Sequence, residues 1–221
     1  MVFANRSEAS ELLAREFKKR NLNFSQTLII AIPRGGILVA GEIAAALNSA
    51  LTVLVIKKIG APNNSELAIG ATASFGKPVL DRWLIADLNV SGDYLKKEIA
   101  TKKKEAKARE KFLGVEITGE KFRGKVAIVV DDGLATGQTA KMAAKVLRTF
   151  GVRKLILAVA CAAPSVIEEM KREYDEVICL QISPEFMAVG QFYRDFSPVE
   201  DSEVKGILAK YSHNYHLTSD N

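Results

Sequence analysis

The stretch Val126 to Ala140, VAIVVDDGLATGQTA, combines residue types whose spacing can do chemistry. An apolar run ends in two adjacent acids, Asp131 and Asp132, and a loop of small and hydroxylated residues, Gly133 to Thr139, then leads into a helix beginning near Gly137. Small residues let backbone amides approach a ligand closely. Those amides, the helix N-terminus and the hydroxyls of Thr136 and Thr139 make a cradle for an anion, with phosphate as the natural guest. The carboxylates upstream only accept hydrogen bonds, which suits the vicinal hydroxyls of a ribose or a hydrated metal ion. A phosphate cradle beside a diol clamp describes a site for a sugar phosphate.

Two other phosphate-binding patterns are excluded. A nucleoside-triphosphate loop needs a lysine after its second glycine, and G-L-A-T-G-Q-T has none. The G-x-G-x-x-G of a dinucleotide fold is absent after the first apolar strand. Two further segments stand at strand ends: Pro33-Arg34-Gly35-Gly36, and the pair Lys57 and Lys58. Taken alone, the first reads equally as a tight turn and the second as a solvated strand end.

Positioning these loops requires strands that end together. TLIIAIP, LTVLVIKK, KVAIVVDD, KLILAVACAAP and EVICLQI are short, continuous apolar runs separated by helical stretches. Such runs predict a mostly parallel sheet of about five strands covered on both faces, an α/β fold, with ligands collecting beyond the carboxyl ends of the strands. Ser7 to about Arg20 reads as a lead-in helix capped by Ser7, residues 60 to 66 as a mobile loop, and Ser91 to Phe112 as a long charged helix. No internal repeat, low-complexity tract or dividing linker is present, so residues 1–221 are expected to form one domain.

Composition narrows the function classes. The chain has 221 residues, 48% hydrophobic and 26% charged, with a net charge of +5. Eight basic and four acidic residues between Asp93 and Lys111 account for most of that charge. Acid-to-base spacings of four, as in Glu105 with Arg109, and a near absence of aromatics there describe a solvated helix face rather than a nucleic-acid surface. No apolar run approaches the roughly 20 residues of a membrane helix, and the N-terminus lacks a secretory pattern, so a cytoplasmic location without membrane contact is expected. Cys161 and Cys179 read as reduced core thiols, and His213 and His216 sit in a polar tail.

Residues 126 to 140 resemble the ribose-phosphate signature of type I phosphoribosyltransferases: four apolar residues, two acids, two variable residues, then a small residue followed by T-G-x-T. PRGG stands where that family has its pyrophosphate loop, and IKKIG at Ile56 to Gly60 resembles its basic strand end. VGQFYRDFSPVEDSEV, Val189 to Val204, is similar to the C-terminal stretch of a subgroup whose acceptor is unassigned.

The resemblance implies a type I phosphoribosyltransferase-like fold with a small hood built from the N-terminal helix and about residues 184–200. It also implies a transferase that moves ribose 5-phosphate from 5-phosphoribosyl-1-pyrophosphate to a nitrogenous acceptor, a nucleobase being the leading class. Asp131 and Asp132 would hold the ribose hydroxyls and reach Mg²⁺ indirectly, through those hydroxyls or water. Gly133, Ala135, Thr136, Gly137, Gln138 and Thr139 would wrap the 5-phosphate. Arg34, Gly35 and Gly36 would contact pyrophosphate, with Lys57 or Lys58 adding positive charge, and a non-proline cis peptide is expected before or after Arg34. Phe192 and Tyr193 are candidates to stack on a flat acceptor. Ala135 stands where purine-salvage members often place an aspartate. A homodimer is the family expectation, and a module that senses the donor without turnover is the alternative function.

Overall fold

The computed structural model of the protein describes residues 2–20, 22 and 24–212. Five strands form one parallel sheet in the order β2-β1-β6-β7-β8: β1 Thr27–Ala31, β2 Ala50–Val53, β6 Val126–Asp131, β7 Lys154–Ala162 and β8 Glu176–Ile182. Every residue of β1 is buried, as are Val126 to Val130 of β6, which is why their sequences run apolar without alternation. Between β1 and β2 runs helix α2, Gly35–Leu47, and between β6 and β7 runs α5, Gln138–Thr149. The chain therefore turns one way out of β1 and the other way out of β6, and these two strands are neighbours. Their carboxyl ends flank the reversal point where open α/β sheets bind ligands.

Helix α1, Arg6–Lys18, buries Leu13 and Phe17 and packs along α2. Its cap is Asn5, not Ser7: the Asn5 side chain accepts from the Glu8 backbone N–H at 3.1 Å, while the Ser7 hydroxyl donates to Glu42 Oε2 at 2.9 Å. Asparagine in an extended conformation is as good a cap as serine and stands two residues earlier. The C-terminal helix α7, Asp201–Ser212, packs on α2 and β2, and α6, Pro164–Glu173, packs on α5.

A second, antiparallel sheet has the order β3-β4-β5: β3 Lys57–Ala61, β4 Asn64–Thr72 and β5 Val79–Leu80. The second apolar run does not continue to the lysines as one strand. It leaves the parallel sheet after Val53, and Lys57 opens β3 opposite Thr72 of β4. Residues 60 to 66, expected as a mobile loop, are instead the tight end of this hairpin, with Asn63 at φ +63°. Asparagine tolerates the left-handed conformation that a two-residue hairpin turn requires. The short helix α3, Arg82–Asp87, and the long helix α4, Gly92–Leu113, cover the small sheet through Leu84, Ile85, Leu95 and Ile99. The Tyr94 hydroxyl donates to the Gly60 carbonyl at 2.9 Å.

The charges of α4 pair along the helix and across to neighbours: Lys102 with Glu105 at 2.8 Å, Lys57 with Glu105 at 3.8 Å, and Arg109 with Asp201. Among the described residues, no helix is long and apolar enough to cross a membrane. Cys161 and Cys179 are free thiols on β7 and β8, and burial pushes them up to about 12 and about 11. His213 and His216 lie outside the described residues.

Glu110 departs from the solvated face of α4. It is fully buried, and neither its carboxylate oxygens nor the Ser74 hydroxyl has a hydrogen-bond partner among the described residues. Loss of water pushes its carboxyl above the ordinary range, with the Lys107 ammonium, 3.8 Å from Oε2, opposing the shift. A folded-state value raised in this way favours the neutral acid. The stability it permits is full below the unfolded carboxylate range and is lost as pH rises through the raised value. Chemical denaturation across that range should therefore show native stability falling with pH. Glu110→Gln should flatten the profile and stand about 1 kcal/mol above native at alkaline pH.

Candidate functional site

The loop after β6 forms a cavity of about 200 Å³ lined by Asp131, the backbone and side chains from Gly133 to Ala140, and Val189. Leu134 fixes the loop's course, its N–H donating to the Cys161 carbonyl of β7 at 2.9 Å. Gly137 closes the loop at φ +68°, and a Cβ there would meet the Val166 side chain at 2.8 Å, so both conformation and space require glycine. Helix α5 opens at the next residue, directing its first amides toward the cavity. All six residues expected to wrap a phosphate, Gly133, Ala135, Thr136, Gly137, Gln138 and Thr139, are thus brought together.

The two acids differ in surroundings. Asp131 lines the cavity, and its Oδ1 accepts from the Asp132 N–H at 2.9 Å. Although Asp131 keeps some exposure, loss of water, followed by the Asp132 charge, pushes its carboxyl well above the usual carboxylate range. Asp132 is buried, and its Oδ2 accepts from Arg6 Nε at 2.8 Å. Arg6 is the first residue of α1, and both side chains of this pair are about one-tenth exposed. Arg6 Nη1 donates to the Ser197 carbonyl at 2.9 Å, and its guanidinium carbon lies 4.0 Å from the centre of the Phe196 ring.

The PRGG loop presses against these acids. A Cβ on Gly35 would stand 2.0 Å from Asp132 Oδ2, and one on Gly36 would stand 2.6 Å from the Val130 carbonyl oxygen. Any side chain at either position would displace the carboxylate or the strand end. The Pro33–Arg34 peptide bond is cis. Arg34 itself is exposed, and with Arg109, whose hydrogen bond is the larger cause, it holds the Asp201 carboxyl low. Lys57 is turned to Glu105 of α4, and Lys58 is exposed without an ion pair among the described residues.

A cover is built from two distant stretches. Phe3 and Ala4 exchange backbone hydrogen bonds with the segment 192–195: Phe3 N–H to the Phe192 carbonyl at 2.8 Å, Arg194 N–H to Phe3 at 2.9 Å and Asp195 N–H to Ala4 at 3.0 Å. Gln191 pins the preceding loop, its Oε1 accepting from the Met187 and Ala188 amides and its Nε2 donating to the Glu185 carbonyl. This loop carries Val189 onto Gly133.

The packing does not offer Phe192 and Tyr193 for stacking. Both are buried: Phe192 stacks on Phe186, and Tyr193 packs between Phe3 and Phe196 while its hydroxyl donates to the Asp132 carbonyl at 2.6 Å. The exposed ring beside the acidic pair is Phe196, at 37%. Sequence reasoning missed Phe196 and Arg6. An arginine opening a surface helix looks like an ordinary polar residue, and only the capping pattern Asn5-x-x-Glu8 marks where that helix begins.

Comparison with known proteins places this geometry. Residues 5–197 match the family described as phosphoribosyl transferase domain. A Mycobacterium tuberculosis H37Rv protein, provisionally named a phosphoribosyl transferase, is 35% identical over 216 residues, which cover 94% of this chain and 46% of that protein. The chain thus spans about half the length of the curated relatives it matches. The crystal structure of TT1426 from Thermus thermophilus superposes with a TM-score of 0.83 at 33% identity, covering 96% of this chain and 99% of that one. With its signature loop, PRGG turn and five-stranded parallel sheet in their expected places, this chain belongs to the type I phosphoribosyltransferase family.

Proposed function

We propose that the protein transfers ribose 5-phosphate from 5-phosphoribosyl-1-pyrophosphate to a nitrogenous acceptor of the nucleobase class, releasing pyrophosphate. The observation that carries this reading is the cavity joining the Gly133–Thr139 cradle to Asp131, with Gly35 and Gly36 packed against the acidic pair. The 5-phosphate takes the amides and hydroxyls of the cradle. The ribose hydroxyls donate to Asp131 and Asp132, and the glycines of the PRGG turn pack against the same two acids, on the pyrophosphate side. Arg34, exposed at the head of α2, would meet the leaving group's charge.

Mg²⁺ fits this set of residues as an ion carried by the substrate. Oδ1 of Asp131 is engaged by an amide and Oδ2 of Asp132 by Arg6, so each acid keeps an oxygen outside those contacts for a hydroxyl or an ion-bound water. The ion's contribution is to offset charge developing on departing pyrophosphate. The chain's own residues hold the sugar and the phosphate in line for displacement at the anomeric carbon. Ala135 offers no proton acceptor, which favours acceptors that need none removed at the displacement step. It also favours, as the second reading, a sensor that binds the donor without turnover.

Pyrophosphate release from donor and Mg²⁺ across a panel of nucleobases, run beside calorimetry of donor binding, tests both readings. Release with any base establishes the transferase; tight binding without release leaves the sensor, and no binding removes both. Arg34→Ala should keep donor affinity and slow release by about 100-fold, whereas Gly35→Ala should weaken donor binding at least tenfold, or about 1.4 kcal/mol, by displacing Asp132.

The raised Asp131 carboxyl gives binding a pH dependence. Its charged form is the better acceptor for a ribose hydroxyl, so donor affinity should rise as pH climbs through a window above the ordinary carboxylate range. Asp131→Asn should bind more weakly and lose that part of the profile, leaving only the titration of the donor's own phosphates. An unchanged profile in the variant would assign the dependence to the ligand.

A further inference from the structure

Among the described residues, Arg6 is the one charged side chain of the cover that is both buried and bonded to the acidic pair. Its contacts run in sequence from the sugar side to the acceptor side: Nε on Asp132, Nη1 on the Ser197 carbonyl, and the guanidinium plane against Phe196. On the transferase reading, Asp132 receives a ribose hydroxyl, and the acceptor is joined to the carbon beside that hydroxyl. The acceptor ring must then lie next to the side chain that holds Asp132, which is Arg6, with the exposed Phe196 ring against its guanidinium.

We infer that Arg6 selects the acceptor, and that the acceptor class is a flat ring carrying an oxo or carboxylate oxygen on its edge. This rests on the transferase reading above. A guanidinium only donates hydrogen bonds, in a planar fork. An edge oxygen satisfies it, whereas an exocyclic amino group would set donor against donor in a partly dry site, an unpaired contact that strongly disfavours the wrong ligand. Neither of the two hydrogen bonds that fix Arg6 uses Nη2. The acidic groups nearby are spent on local donors: Glu42 accepts from Ser7, Asp195 from Ser197 and Glu203 from the Glu200 amide. These three acids line a cavity of about 280 Å³ that Arg6 also borders, so an amino-bearing ring would be the favoured guest only if they, and not Arg6, read the edge.

The same contact makes Arg6 a competitor of the sugar, because it occupies one of the two Asp132 oxygens and leaves only the other for a ribose hydroxyl. Removing the guanidinium frees that oxygen. Arg6 is therefore expected to act oppositely on the two halves of a nucleotide, weakening the hold on the sugar while discriminating among rings. A purely structural arginine would weaken both when lost.

Calorimetry separates these outcomes with ribose 5-phosphate and two matched pairs of 5-monophosphates, inosine with adenosine and uridine with cytidine, each pair differing by oxo against amino at one ring position. The native protein should prefer the oxo member of at least one pair by about tenfold or more, and Arg6→Met should bring that ratio to within about twofold while ribose 5-phosphate binds equally or more tightly. Arg6→Lys, which keeps a donor without the fork, should retain part of the preference, and covers the case of a methionine variant that does not fold. Preference for the amino member, a ratio unmoved by either variant, or a parallel loss of ribose 5-phosphate and nucleotide binding would overturn the assignment. Failure of the native protein to bind ribose 5-phosphate at all would instead remove the transferase reading on which it rests.

Discussion

The arrangement of this molecule depends on the Asp132 carboxylate, where three separately encoded elements meet. The acid is delivered by the end of β6, it lies where Gly35 leaves no room for a side chain, and it is bonded to Arg6 of the first helix. A buried carboxylate without a partner is costly, and breaking such a pair from one side costs several kcal/mol in typical proteins, roughly 3 to 5. The N-terminal helix, the PRGG turn and the signature loop are therefore constrained together. Backbone pairing of Phe3 and Ala4 with the segment 192–195, and the Tyr193 hydroxyl on the Asp132 carbonyl, tie the far end of the chain to the same point.

This convergence explains what could be read in the sequence and what could not. The signature loop was legible because each of its demands is local: an acid at a strand end, glycine at a positive φ, hydroxyls and amides ahead of a helix. The parallel sheet was legible because both faces are covered, which makes its strands uniformly apolar. The break after Val53 was not, because an apolar run carries no mark of where one sheet hands over to another. Only the Asn63 turn, which brings β4 back along β3, decides that Lys57 pairs with Thr72.

The cover was hardest to read, for a reason visible in its aromatics. Phe192, Tyr193 and Phe196 are equivalent candidates by type, and their exposure is set by the bridge between Phe3 and Tyr193, a contact across nearly the whole chain. That pairing turns Phe192 toward Phe186 and Tyr193 toward the Asp132 backbone, leaving Phe196 at the surface with Arg6 on it. A single arginine in a helical pattern has no local signal that it will be buried. Its role follows from tertiary contacts alone.

The asymmetry of the two acids bears on the high charge of the proposed donor. Two bare, adjacent carboxylates beside the phosphate cradle would repel a ligand carrying a phosphate and a pyrophosphate, by an amount that grows as water is excluded. Here Asp132 is matched by Arg6, and burial together with the Asp132 charge favours the neutral form of Asp131. The pair by itself therefore carries little uncompensated negative charge, although it consists of two acids. On the proposed transferase reading, the donor's hydroxyls and an accompanying cation would supply the hydrogen bonds and positive charge that make an ionised Asp131 favourable. On that reading the clamp would be completed by the ligand it binds.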